Sequence, residues 1–303
     1  MVRKVSNIAA SVHQRLLNRA KSSSRLFSEL LQYFAIERFI YRLSRTRQAD
    51  KFILKGALML PVWSGAASRP TMDIDFLART ANDPTVIADA IRDACILDVE
   101  PDGMFFDPGS VTAAKITEDA IYEGVRVRVR GSLGPARVSL QVDVGFGDII
   151  VPGPILVSYP ALLDFPPAQL AGYTRESTIA EKLQAMVKLG VLNSRMKDFY
   201  DIWMLSRTSD FGGHTLAEAV EKTFGNRKTA IPATPEAFQP MFAVDPDRRT
   251  QWRAFTTKSR TADAPEAFAD VVAAIKAFLQ PLLAALADGR PFKSVWKAPG
   301  PWR

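Results

Sequence analysis

The chain has 303 residues, 47% of them hydrophobic, which is enough for two domains or for one domain with a large helical appendage. It has 39 basic and 32 acidic residues, a formal net charge of +7, and its single cysteine, Cys95, excludes an internal disulfide and favours a reducing compartment. The N-terminus lacks the apolar core of a secretion signal, and the most apolar stretch, 271–287, is interrupted by Lys276 and Pro281. We therefore expect a cytoplasmic protein without a membrane segment.

The first half of the chain is predicted to be mixed α/β. Apolar residues at helical spacing predict two helices within residues 7–47. Strands are predicted at 51–56, 71–78, 111–117, 123–133 and 136–147, with helices at 57–65 and 83–97. Asp83 is the expected N-cap of the second of these helices. The last two strands are expected to form a hairpin across residues 132–136.

The second half is predicted to be helical. Residues 151–173 are rich in proline and are predicted to be irregular. Helices are expected at 177–190 and 194–207, followed by two or three more that end with 264–288. The predicted fold class is therefore an α/β core with a mixed sheet, preceded by N-terminal helices (1–48) and followed by a helical C-terminal domain (166–303), the core spanning 49–165.

Basic residues are concentrated near both ends of the chain. Residues 12–51 contain nine of them against two glutamates: Arg15, Arg19, Lys21, Arg25, Arg38, Arg42, Arg45, Arg47 and Lys51. Residues 290–303 combine basic side chains with Trp296 and Trp302. Such faces suit a polyanion such as nucleic acid, but a solvated helix face and a frayed tail would have the same composition, so charge leaves both interpretations open.

Two aspartates stand in one predicted strand. Asp73 and Asp75 share one face of it, and Ile74 points into the opposite layer. Two adjacent carboxylates repel each other and are costly to desolvate, and a divalent cation such as Mg²⁺ removes both problems. Asp143, within another alternating strand, is a candidate third ligand of a two-metal site for phosphoryl displacement.

Other interpretations remain for these acidic residues. Asp73 and Asp75 could be an edge or turn feature, and Asp143 a solvent-facing strand residue. Several other chemistries are excluded, because the two histidines and one cysteine cannot form the usual zinc site and no Walker A or G-x-S-x-G pattern is present.

The surrounding sequence carries a family resemblance. The segment "LKGALMLPVWSGAASRPTMDIDFL" (54–77) resembles the nucleotidyltransferases of the DNA polymerase β superfamily, in which a helix start binds the triphosphate. "TIAEKLQAMVKLG" (178–190) and "RMKDFYDIW" (195–203) resemble two motifs of the AbiEii/AbiGii toxin family of bacterial nucleotidyltransferase-like toxins.

The resemblance implies roles for individual residues. Asp73, Asp75 and Asp143 would hold two Mg²⁺ ions, with Asp143 activating the attacking hydroxyl. Lys182 and Asp198 would complete the catalytic set. The implied nucleotide-binding residues are Lys55, Gly56, Ala57, Lys182, Arg195 and Lys197. The family pattern has a small hydroxyl residue or a second glycine where this chain has Ala57, so one side-chain donor is missing there.

The helix motif has a simpler interpretation as well. Arg195 with Asp198 and Lys197 with Asp201 are spaced to form stabilising pairs along a helix. The favoured order places the acid first, however, and both pairs are reversed, which favours function. Lys182 could equally be a solvated surface lysine without the family motif.

The implied function is that of a toxin of a toxin–antitoxin system, which transfers NMP from an NTP with Mg²⁺ to RNA, above all the tRNA 3′ end. A cognate antitoxin is the implied protein partner, and the C-terminal domain would complete the active site. Thr71, two residues before Asp73, is a candidate regulatory phosphorylation site, or simply a β-branched strand residue. The alternatives are nucleotidyl or phosphoryl transfer to a protein or small molecule, and a non-catalytic nucleotide-binding module.

Overall fold

The structure, a computed structural model, describes residues 7–23, 25–65, 69–118, 122–261 and 263–303. Residues 1–6 of the predicted N-terminal segment lie outside this part. The chain forms two compact units. Unit 1 comprises residues 1–147 and 155–172, and unit 2 comprises residues 148–154 and 173–303. The N-terminal helices thus belong to the same unit as the sheet.

Unit 1 is built on a seven-stranded mixed sheet of order β3-β4-β5-β2-β1-β7-β6. Its strands are β1 (Phe52–Lys55), β2 (Asp73–Ala78), β3 (Met104–Glu118), β4 (Tyr122–Leu133), β5 (Ala136–Phe146), β6 (Ile155–Tyr159) and β7 (Ala168–Gly172). Its helices are α1 (Ile8–Ser23), α2 (Phe27–Leu43), α3 (Met59–Ser64) and α4 (Pro84–Ile96). Strands β3, β4 and β5 form an antiparallel meander, and β5 pairs in parallel with β2.

One face of this sheet forms the core of unit 1. Ile74 and Phe76 of β2 and Val142 and Val144 of β5 are at most 1% exposed. Helices α2 and α4 pack against the sheet. Because side chains alternate along a strand, burying these apolar residues directs their neighbours, among them Asp75 and Asp143, to the other face.

The predicted elements of unit 1 are confirmed apart from three differences, at residues 151–173, at the start of β3 and at the start of β2. Asp83 caps α4 by accepting a hydrogen bond from the Thr85 N–H at 2.7 Å. The irregular structure predicted for 151–173 is wrong, because the segment contains β6, between Pro154 and Pro160, and β7, after Pro167. Strand β6 lies at the sheet edge, where flanking prolines are tolerated. Strand β3 also begins seven residues before the predicted 111, and the turn-forming residues at 107–109 produce a register shift rather than an end.

Helix α2 carries a buried charge cluster. Arg42 donates to both carboxylate oxygens of Asp102, at 2.6 and 2.9 Å, and Arg38 donates to the Pro166 carbonyl at 2.7 Å. Burial raises the pKa of the neighbouring Glu37 carboxyl to about 7. Two of the nine basic residues predicted to form a basic face therefore belong to the core, which makes the basic surface smaller than the charge count indicates.

Unit 2 is mainly helical. Its helices are α5 (Arg175–Leu189), α6 (Met196–Thr208), α7 (Gly213–Asn226), α8 (Pro240–Val244), α9 (Pro246–Ser259) and α10 (Phe268–Ala287), and a short pair of strands is formed by β8 (Phe211–Gly212) and β9 (Val295–Trp296). Helix α5 begins after the N-cap Thr174, slightly earlier than predicted, and ends at Gly190 as predicted. Within the described residues, four helices follow α6 (α7 to α10), rather than two or three.

Helix α10 is the core helix of unit 2. Among the described residues it is the one helix long and apolar enough to span a membrane by length and composition. Its buried side chains, including Val271, Ile275, Leu279 and Leu282, are at most 3% exposed, and it packs against α6, α7 and α8. Its apolar character is therefore accounted for by packing within the unit.

The tryptophans of the C-terminal segment are also part of this packing. Trp296 is 4% exposed and donates its indole N–H to the Ser206 carbonyl at 2.7 Å. Trp302 donates to the Phe278 carbonyl at 2.7 Å and stacks on the Phe278 ring. The interpretation of this segment as a frayed tail is wrong, and the buried Trp296 is not placed to stack on bases.

Candidate active site

The two aspartates of β2 lie at the start of the strand and on one face of it. Asp73 is exposed, Asp75 is half-buried, and Ile74 between them is fully buried on the opposite face. The local reason is the alternation of the strand, which places Ile74 in the core and both carboxylates away from it. Two like charges therefore lie side by side where water reaches at least one of them.

A row of four charged residues crosses the sheet at Asp75. Lys55 of β1 is the register partner of Asp75, Asp75 is the partner of Asp143, and Asp143 is the partner of Arg126 on β4. Neighbouring strands are about 4.8 Å apart, so the row places two central carboxylates between two outer cations. We call these four residues the charged row.

Asp143 is fully engaged by Arg126. Arg126 Nε donates to Asp143 Oδ1 and Arg126 Nη2 donates to Asp143 Oδ2, both at 2.7 Å, and Gln141 Nε2 approaches Oδ2 at 3.3 Å. Parallel bonds of this kind are the strongest form of carboxylate recognition by a side chain. Both oxygens of the predicted third metal ligand are therefore bound to a guanidinium.

Arg126 was not predicted as a partner of Asp143, although the sequence contains a signal for it. The predicted hairpin has a two-residue turn, Gly134 and Pro135, on either side of which Leu133 pairs with Ala136. Counting outward from that pair places Arg126 opposite Asp143. The alternating "VRVRVR" pattern of β4 then puts this arginine on the same face as the carboxylate.

Gly56 lies directly against Asp75. Its φ is +70°, and a Cβ added to it would lie 2.1 Å from Asp75 Oδ2, far inside contact distance. A glycine is required there both by the backbone conformation and by the carboxylate. The neighbouring Ala57 is buried within the turn Gly56–Leu58 that leads into α3, while Lys55 is half-buried.

The fit of these residues to a Mg²⁺ ion differs from one to the next. Asp73 and Asp75 offer oxygen ligands on one accessible face, and Mg²⁺ is commonly held by one or two carboxylates together with substrate phosphates. Asp143 does not fit as a ligand in this arrangement, because both of its oxygens are bound to Arg126. In the part of the chain that the structure describes, no group of three or more His, Cys, Asp or Glu side chains is placed to hold a metal ion.

Unit 2 brings the two helix motifs together. Lys182 of α5 places its ammonium 2.8 Å from Asp198 Oδ1 and 2.8 Å from Asp201 Oδ2, both on α6. Arg195 Nε donates to Asp198 Oδ2 at 2.6 Å. Both aspartates are at most 1% exposed, whereas the side chains of Lys182 and Arg195 are 13% and 38% exposed, so two buried anions and two partly exposed cations join α5 to the start of α6.

Asp198 is strongly held in its ionised form. Burial alone would raise its pKa, but the charges and hydrogen bonds of Lys182 and Arg195 outweigh burial and lower the pKa to about 2. The helix spacing predicted Asp201 only as a partner of Lys197, whereas in the structure Asp201 is the second carboxylate partner of Lys182. Lys197, by contrast, is exposed on α6.

A second ion-pair cluster in unit 2 was not predicted. Arg227, just after α7, lies 2.8 Å from Asp148 Oδ1 and 3.4 Å from Glu181 Oε2, and it donates to Gln184 Oε1 at 2.9 Å. Because these residues are far apart in the chain and Arg227 lies outside any motif, the sequence holds no signal for the cluster.

Thr71 lies just before β2 rather than within it. The strand begins at Asp73, so the strand conformation expected for residues 71–72 is wrong. Thr71 is half-buried, and its backbone hydrogen-bonds the Tyr33 hydroxyl. Its regulatory role stays a prediction.

Comparison with known proteins identifies the class of this chain. The sequence profile of one family, described as "Nucleotidyl transferase AbiEii toxin, Type IV TA system", matches residues 38–274. The chain is therefore a nucleotidyltransferase. More particularly, it belongs to the AbiEii toxin family of type IV toxin–antitoxin systems, which implies an antitoxin partner. The family resemblance, the fold class and the enzyme class predicted from the sequence are confirmed.

Two solved structures from Helicobacter pylori match this chain along most of its length. One is a candidate nucleotidyltransferase, 13% identical, with a TM-score of 0.46, covering 94% of this chain and 98% of its own. The other is JHP933, also 13% identical, with a TM-score of 0.44, covering 94% of this chain and 96% of its own. No curated protein matches the sequence.

Proposed function

We propose that this toxin is a Mg²⁺-dependent enzyme that transfers NMP from an NTP to RNA, with the tRNA 3′ end as the favoured acceptor. The observation that carries the proposal is the pair Asp73 and Asp75 on an accessible sheet face, in a chain of a nucleotidyltransferase family. Carboxylate oxygens are the ligands that Mg²⁺ prefers. The proposed site of action is the cytoplasm, where NTP and RNA are available.

Asp73 and Asp75 are the proposed metal ligands. A bound Mg²⁺ ion would neutralise charge on the triphosphate and the leaving group. Lys55, beside Asp75, is placed to offset charge on the same face. Gly56 leaves room for the Asp75 carboxylate, and Asp143 is the proposed third acidic residue once its oxygens are released from Arg126.

The unit 2 network is proposed to present positive charge to phosphate groups. Lys182 and Arg195 are held in place by the buried Asp198, so Asp198 acts as a positioning residue. Lys197 is exposed and able to meet phosphate directly. This proposal predicts that replacing Asp198 lowers activity by disordering both cations rather than by removing a reacting group.

An RNA acceptor is supported by β4. Arg128 and Arg130 follow Arg126 at alternate positions, so they share its face of the sheet, and both are exposed. Exposed arginines at regular spacing suit the phosphate backbone of a single strand. Replacing both with Gln should weaken RNA binding for all sequences and reduce the slope of log K against log salt by about 1.4, at about 0.7 per phosphate contact.

The direct test is to incubate the protein with total tRNA and each labelled NTP separately, in the presence of Mg²⁺. We expect label in RNA with at least one NTP, and loss of transfer in Asp73→Asn and Asp75→Asn variants that remain folded by circular dichroism. Near-normal transfer by either variant would refute the metal-ligand role. Label on protein or on a small molecule instead of RNA would support another acceptor, and binding of NTP without transfer would support a non-catalytic module.

A second test concerns toxicity. Expression of the wild-type chain alone should slow bacterial growth, and expression of Asp198→Ala should not. Harmless expression of soluble wild-type protein would argue against a toxic action, while leaving the transfer reaction to the labelling experiment.

A further inference from the structure

The charged row contains two ways of stabilising Asp143, and the structure shows one of them. Asp75 and Asp143 are register partners on neighbouring strands, so their negative charges repel. The Arg126 guanidinium compensates this repulsion through two bonds of 2.7 Å to Asp143. A divalent cation shared between the two carboxylates would compensate it equally.

The two cations exclude each other. Arg126 occupies both oxygens of Asp143, and a second cation brought to the same carboxylate would be repelled by the guanidinium at close range. The pair is also sheltered, since the side chain of Arg126 is 29% exposed and that of Asp143 is 18% exposed. Water therefore screens this interaction less than it screens a surface ion pair.

We infer that Arg126 is a positioning residue that competes with a divalent cation for Asp143, so that the resting enzyme binds metal through Asp73 and Asp75 without Asp143. The inference rests on the proposed function only in assuming that the β2 carboxylates bind metal. Asp143 becomes a ligand when the guanidinium of Arg126 moves away from it. Asp143 therefore binds no metal in the resting enzyme.

The inference is tested by direct metal binding, without nucleotide or RNA. Mn²⁺, a spectroscopic substitute for Mg²⁺, is titrated into the full chain, and free Mn²⁺ is followed by electron paramagnetic resonance. Arg126→Gln removes the competing charge and should bind Mn²⁺ about tenfold more tightly, or bind an additional ion. Asp143→Asn in the wild-type background leaves the Arg126 charge in place and should not strengthen Mn²⁺ binding, whereas in the Arg126→Gln background it should abolish the gain.

Two controls separate this effect from a general change in charge. Arg137 lies on β5, on the same face as Asp143, and is exposed, so Arg137→Gln removes the same charge without releasing Asp143 and should not change Mn²⁺ binding. Arg126→Lys retains the charge but loses the paired bonds to both Asp143 oxygens, so its Mn²⁺ affinity should lie between that of the wild type and that of Arg126→Gln.

The outcomes are decisive in both directions. Unchanged Mn²⁺ binding in folded Arg126→Gln would overturn the inference, and so would an equal gain in Arg137→Gln. If Arg126→Gln does not fold, Arg126→Lys takes its place: tighter Mn²⁺ binding than in the wild type would support the inference, and unchanged or weaker binding would overturn it. If Mn²⁺ binding follows the expected pattern but the protein does not transfer NMP, the proposed function is refuted and this inference is not.

Discussion

Replacing Asp198 with Asn should destabilise unit 2 by an amount that depends on pH. The substitution keeps the size of the side chain and removes the charge that faces Lys182 and Arg195. Because Asp198 is 1% exposed, its carboxylate is stabilised by these two cations instead of by water. The loss should therefore exceed that of an ordinary surface ion pair.

The pKa of Asp198 provides the magnitude. The pKa of this carboxyl falls from its ordinary 3.8 to about 2 in the folded chain. At about 1.36 kcal/mol per pKa unit, this contributes roughly 2 kcal/mol to the free energy of unfolding at pH 7. Lys182 retains Asp201 at 2.8 Å, so no buried cation is left unpaired and the full loss of about 3–5 kcal/mol is not expected.

The sign of the pH dependence follows from the lowered pKa. The contribution is complete above the unfolded pKa of 3.8 and is lost as pH falls through the folded value of about 2. At pH 3, about half of it should remain. The difference between wild type and Asp198→Asn should therefore shrink when the pH is lowered from 7 to 3.

Urea unfolding followed by tryptophan fluorescence measures this difference, since α6 carries Trp203. The matched control is Asp210→Asn, which removes an exposed pair with Lys297 at 2.7 Å and should change the free energy of unfolding little. Equal losses in the two variants would refute the reasoning. A loss in Asp198→Asn that does not shrink at pH 3 would also refute it.

Gly56→Ala should lower NMP transfer more than it lowers the melting temperature, because the added methyl group displaces Asp75, whereas Gly134→Ala, which has a similar positive φ without this clash, should affect stability alone. Glu37→Gln should raise the free energy of unfolding by up to about 3 kcal/mol at pH 8 and by under about 1 kcal/mol at pH 5. The reason is that a carboxyl whose pKa is raised from 4.5 to about 7 on folding costs stability as the pH rises through this range. Equal changes in urea unfolding at both pH values would contradict this prediction. Thr71→Glu should lose NMP transfer and Thr71→Val should retain it if this residue is a control point, and equal activity would exclude that role.

The sequence was sufficient for features that depend on local periodicity. Strand alternation placed Asp73 and Asp75 on one face, and helix spacing predicted α5 and α6 with their charged motifs. Partners contributed by distant segments were not predictable in the same way. Arg227 meets Asp148 across 79 positions of the chain, and this contact depends on how unit 2 packs rather than on any local pattern.

Proline content misled the prediction for a similar reason. The prolines of residues 151–173 are local breakers, but five residues between Pro154 and Pro160 form β6 and five residues after Pro167 form β7. Whether such short segments form strands is decided by the strand with which they can pair. Here β7 pairs with β1, and β6 pairs with β7. Local propensity therefore predicted the breaks at the prolines correctly but did not predict the two strands.

The two-residue turn between β4 and β5 governs more than the shape of a loop. Leu133 pairs with Ala136 across it, and every later pairing up to Arg126 with Asp143 is counted from there. A single residue inserted at this turn would shift the count by one and direct the arginines of β4 towards the core, with valines in their place on the polar face. Homologous chains should therefore tolerate substitution at this turn far more readily than a change in its length. The length of the turn is then conserved because it determines which side chains reach a site several residues away.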